Sequence, residues 1–252
     1  MDDRRSSPDR RRQPQSGPHP AQGAALMPAI STLMFSEIAM FKTLIAAALL
    51  AGTAASASAH EIWIERDGAT ARVHVGDAAG ERDKGEDIAK LVATSRLFET
   101  RPDRAFAMTA QPDHLVADVG GAGDLRYYND QVWEPWKTEE GSYQAAAFQA
   151  KAGRDSTRAV HAFELVPVAP GSDSFILTFK GQPLADTGIT VINPDLWEKT
   201  FKTDGEGRFT VPVAAKGRYI LVARHTAPAD VEIAGQRVAS LQHIASLSFV
   251  AH

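Results

Sequence analysis

Residues 175–193 read FILTFKGQPLADTGITVIN, residues 197–213 read WEKTFKTDGEGRFTVPV, and residues 217–225 read GRYILVARH. Short runs rich in β-branched and aromatic residues alternate here with Gly, Pro and Asp at about 8–12-residue spacing, the rhythm of a small antiparallel sandwich. The turn Thr203-Asp204-x-x-Gly207-x-Phe209 feeds one of these strands, because Asp can bond the turn backbone and Gly supplies a positive φ. The alternating apolar positions predict a core containing Ile176, Val191, Phe209, Val211 and Leu221. His225, followed by TAPAD, is expected at the end of its strand.

Upstream, the same alphabet continues. HEIWIER (60–66) alternates Ile62 and Ile64 against Glu61, Trp63 and Glu65, and after Asp67-Gly68 the run ATARVHVGD completes a hairpin. GDAAGERDKGED (76–87) is a polar loop, and EDIAKLVATSRLF (86–98) fits a short helix or a strand. YYNDQVWEPW (127–136), interrupted by Pro135, reads as a loop or an edge strand, and AAAFQAKAGRDSTRAV (145–160) is the best helix candidate. The Pro/Gly/Ser cluster VPVAPGS (166–172) divides the chain. The expected fold is therefore mainly β: two antiparallel sandwich-like domains, 60–166 and 167–252, with a short helix in the first.

The N-terminal 59 residues have a different character. Residues 40–59, MFKTLIAAALLAGTAASASA, join a positive charge at Lys42 to an apolar run and an Ala57-Ser58-Ala59 end, the pattern of a cleaved secretory signal peptide. That run is too short to span about 30 Å of hydrocarbon, and no later stretch is longer, so no membrane span is expected in the mature chain. Residues 1–39, rich in Arg, Pro, Ser and Asp, do not fit before such a signal, and translation from Met40 is the simpler reading. Export implies a periplasmic protein. Residues 60–252 carry 21 basic and 27 acidic groups, which excludes the electrostatic footprint of a nucleic-acid binder. The absence of cysteine excludes thiol chemistry, disulfides and zinc–cysteine sites. Phosphate loops, G-x-S-x-G, S-x-x-K and HExxH are all missing, so nothing argues for an enzyme.

Cleavage after Ala59 would make His60 the first mature residue. Its α-amine and its imidazole Nδ1 can then close one chelate ring, a nitrogen pair suited to Cu(II), Ni(II), Co(II) or Zn(II) rather than Mg or Ca. The other metal candidates, His161, His225 and His243, lie in or beside apolar strands, where a satisfied histidine is about as reasonable as a ligand. His74 should lie on the polar face of a strand, and His114 in a solvated loop.

A signal peptide ending directly before HEIWIE resembles the secreted bacterial DUF4198 family, whose mature chains open with His, an acidic residue and an aromatic. HAFELVPV (161–168) resembles that family's strand before its second domain, and 179–225 resembles the CnaB/transthyretin-like sandwich that follows it. Position 61 is Glu where the family more often has Asp, and the middle region is short. The resemblance implies the periplasmic component of a cobalt or nickel uptake system. It would bind Ni(II) or Co(II) at His60, and at His225, on behalf of a metal permease or an outer-membrane receptor. Two other readings remain open: a non-catalytic module whose Trp133/Trp136 cluster binds a receptor, glycan or protein, and a copper enzyme built on a terminal-histidine brace.

Overall fold

The computed structural model describes residues 60–121 and 123–252. The expected leader and the 39 residues before it lie outside the described residues.

The fold is mainly β. A central sheet is built from β3 (Arg96–Phe98), β6 (Leu125–Asn129), β7 (Trp136–Lys137), β8 (Tyr143–Ala152), β12 (Gly188–Ile192), β13 (Glu198–Lys202), β15 (Gly217–Ile233) and β16 (Gln236–Ala251). These strands lie in the order β13-β12-β15-β16-β8-β6-β3, with β7 added against β8. All the pairings are antiparallel except β16 with β8, which is parallel. Side chains alternate across the sheet, so each long strand feeds two cores. One face, including Phe148, Ile220, Val222 and Ile244, packs on a sheet of β1 (Glu61–Asp67), β2 (Thr70–Gly76), β5 (Leu115–Asp118) and β4 (Thr109–Ala110). The other, including Leu221, Ala245, Leu247 and Phe249, packs on β9 (Phe163–Pro167), β10 (Ser174–Phe179), β11 (Gln182–Pro183) and β14 (Arg208–Thr210). The central sheet is thus covered on both sides, and the chain segments before and after residue 166 share it through the β8–β16 pairing.

The β1–β2 hairpin forms in the expected register, with Asp67 opposite Thr70. The ambiguous 86–98 stretch divides into α1 (Glu86–Leu91) and then β3. Asp204 Oδ1 accepts from the backbone N–H groups of Glu206 and Arg208 at 2.9 and 2.8 Å, as the turn motif requires.

Four expectations about the strands need correction. The helix read at 145–160 is instead β8, buried along almost its whole length, and the loop 153–162. A strand covered on both faces reads as a continuous small-apolar run, and here tertiary burial overrides the helix preference of alanine. Tyr127–Asn129 belong to the interior strand β6, while Trp136 lies in the short strand β7. Ile176 is only half-buried, because its neighbours Phe175 and Leu177 take the inward phase of β10; the other four expected core residues are buried. His225 does not end its strand, since β15 continues to Ile233 and accommodates Pro228 by a register shift before Val231.

Candidate functional site

His60 stands at the start of β1, and the polar loop after β2 folds back to meet it. The N–H of Asp83 donates to Val75 O at 2.9 Å, that of Asp77 to Glu81 O at 2.8 Å, and Gly76 pairs with Arg82 in a bridge. The approach is close enough to require glycine: Gly76 has φ 131°, and a Cβ there would sit 2.5 Å from Glu81 O. This fold-back delivers Asp83, whose Oδ1 lies 3.1 Å from His60 Nε2. Trp133, edge-on to His60 at 5.9 Å between ring centroids, forms one wall and is itself seated on Phe148 at 5.1 Å. The resulting cleft, of about 550 Å³, is also lined by Asp87, Lys90 and Glu134, with Asp87 paired to Lys90 at 3.1 Å. Among the described residues no other histidine lines it.

A proton shared between Nε2 and a carboxylate fixes the imidazole tautomer and places the ring's lone pair on Nδ1. A carboxylate behind a ligating histidine is the usual second-layer partner of a metal-bound imidazole. Beside it, burial pushes the Glu61 carboxyl up against the opposing pull of Arg224, with which it pairs.

The remaining candidates lie on the opposite face of the central sheet. His225 and His243 are direct cross-strand partners. Between them the Phe179 ring approaches both imidazoles, at 4.7 and 5.1 Å, with Phe163 beside them. His243 Nδ1 is 3.1 Å from Gln149 Nε2, and burial, aided by His225 and Lys180, lowers its pKa to about 4. His161 packs against the rings of Phe98 and Tyr128, with Nε2 3.3 Å from Ala150 O, and burial likewise takes it down to about 4. The fold thus brings His225 and His243 together and keeps His60 away from all three. Among the described residues no group of three or more His, Asp or Glu side chains is arranged to hold a metal ion.

Two further features escaped the sequence reading. His74 is buried rather than on a polar face: it stacks on Trp63 at 5.3 Å and meets His114 at 5.2 Å. Arg126, Lys151, Glu164 and Asp124 form a buried ionic network under the loop 153–162. Glu164 pairs with Arg126 at 2.9 Å and accepts the N–H groups of Val160 and His161 at 2.8 Å each. Asp124 accepts those of Asp155 and Ser156. Burial pushes Glu164 up, but Arg126, His161 and Lys151 together outweigh it and hold the carboxyl below its ordinary range. The signal available in the sequence was one charged residue in phase within each of two apolar strands, Lys151 and Glu164.

Comparison with known proteins finds no family model, curated protein or solved structure that matches the chain. No helix among the described residues is long and apolar enough to cross a membrane.

Proposed function

We propose that the chain is a periplasmic transition-metal binding protein that captures Ni(II) or Co(II) through His60 and passes it to an uptake partner, a metal permease or an outer-membrane receptor. The observation that carries this reading is the 3.1 Å contact of Asp83 with His60 Nε2 inside a cleft also lined by Asp87 and Glu134. Nδ1 and the amine freed by cleavage supply two nitrogens, and the anionic rim favours a cation over an acidic ligand. Cu(II) and Zn(II) are the competing ions, since the same nitrogen pair also suits them. The protein acts as a carrier, and the ion is its cargo. Calorimetric titration of protein beginning at His60 with each of the four ions tests this, with His60→Ala as the control. The reading requires micromolar or tighter binding that falls more than about 10–100-fold in the variant.

A second reading, a non-catalytic interaction module, draws support from a different surface than Trp133/Trp136. Both of those residues are half-buried against the core, whereas Leu196 and Trp197, in the turn between β12 and β13, are 59% and 77% exposed.

A further inference from the structure

The loop that brings Asp83 to His60 carries one side chain that reaches back into the hairpin. Arg82 Nη2 donates to Glu65 Oε1 at 3.1 Å, and Nη1 lies 3.2 and 3.3 Å from the two ring nitrogens of His74. Near-equal distances to both nitrogens place the guanidinium over the imidazole face, and its central carbon is also 5.4 Å from the Trp63 ring centroid. Arg82 therefore clasps a column made by Trp63, His74 and Glu65. Glu65 is held in turn by Trp63 Nε1 at 3.2 Å and by Arg218. The charged and titratable groups facing His74 are Glu65, Arg82 and His114, with Asp113 behind His114.

We propose that Arg82 is the positioning residue of the His60 cleft: by clasping Trp63, Glu65 and His74 it locks the loop 77–84 so that Asp83 meets His60 Nε2. The functional half of this inference rests on the metal reading above; the geometric half does not. The loop is polar, with Ala78 its buried apolar residue, and Ala78 N donates to Glu61 Oε2 at 3.3 Å. Side-chain grips along β1 at Glu61, Trp63 and Glu65 therefore do what apolar packing does elsewhere in the fold. Arg82 holds two of those three positions and directly precedes Asp83. A lysine cannot replace it, since a point charge cannot both pair with Glu65 and lie flat across an imidazole and an indole.

The decisive readout is the tautomer of the metal-free His60 ring, read from its ¹⁵N chemical shifts, in the wild type, Arg82→Ala, Arg82→Lys and Asp83→Asn. The expected result is a predominant Nε2–H tautomer in the wild type and a mixed population in Asp83→Asn. Arg82→Ala should match Asp83→Asn, and the double variant should show no further change, because both act through one contact. Arg82→Lys should fall closer to Arg82→Ala than to the wild type. Ni(II) affinity should drop about 10–100-fold in Arg82→Ala, the usual cost of losing a residue behind a metal ligand. An unchanged tautomer in folded Arg82→Ala overturns the proposal, and so does additivity in the double variant. If Arg82→Ala does not fold, Arg82→Lys carries the same test. If the wild type binds no Ni(II) while the tautomer still responds to Arg82, the metal reading fails and the positioning role stands.

Discussion

Gly76 shows how much of the site hangs on one residue. Its φ of 131°, and the 2.5 Å that would separate an added Cβ from Glu81 O, leave an alanine no room without moving the loop. Strain of this kind costs on the order of 1–3 kcal/mol. Gly76→Ala should therefore lower stability by that amount in urea unfolding and weaken Ni(II) binding by at least about tenfold, since Asp83 moves with the loop. Stability lost without any change in affinity would separate the loop from the site. His60 itself was legible in the sequence because a cleavage pattern ended directly before it. Asp83 was not, since nothing in GERDKGED distinguishes one carboxylate from another until the fold-back at Gly76 selects it.

At the scale of elements, β8 carries both the instructive misreading and the strongest structural commitment. Lys151 projects from it into the same buried network as Arg126, Glu164 and Asp124. Removing one partner of such a network leaves the others charged and unpaired away from water, at a cost of about 3–5 kcal/mol. Glu164→Ala should thus shift the urea midpoint sharply, and the loop 153–162, which loses two N–H acceptor contacts, should become the first segment cut by protease. A loss below about 1 kcal/mol would mean that water reaches the network. The hairpin β1–β2 was readable from its Asp67-Gly68 turn and its alternation of Ile62 and Ile64, although Trp63 and His74 are buried as well, and the strands between 175 and 223 from β-branched and aromatic runs set between Gly, Pro and Asp turns. β8 was not, because it is covered on both faces and so loses the period that marks a strand. Its parallel partnership with β16 joins residues nearly a hundred positions apart and leaves no local trace.

Among the described residues, three imidazoles are kept neutral by burial: His74, His161 and His243, each lowered to about 4. An unfolded histidine titrates near ~6.5, so between about pH 6.5 and 4 the unfolded chain binds protons that the folded chain does not. Stability is complete above that window and falls as the pH drops through it, by on the order of 1 kcal/mol per histidine per pH unit. Glu164, held low by Arg126, adds a loss in the same direction at more acid pH. The urea midpoint should be level between about pH 7 and 8 and decline steeply from about 6.5 downward; a midpoint unchanged at about pH 4.5 would contradict the burial of neutral histidines. Covering the central sheet on both faces makes these buried groups part of one structure, so the decline should be a single transition.

The proposed capture of the ion requires His60 to act through its own α-amine. The most direct measurement compares Ni(II) affinity at about pH 7.5 for protein beginning at His60 with the same protein carrying one extra methionine before it. The added residue turns the amine into an amide and leaves the imidazole, Asp83 and the cleft in place. A loss of at least about 100-fold is expected in the extended protein, beyond the range of a change behind the ligands. Equal affinity in the two proteins would remove the α-amine from the site and overturn the proposed metal capture at His60.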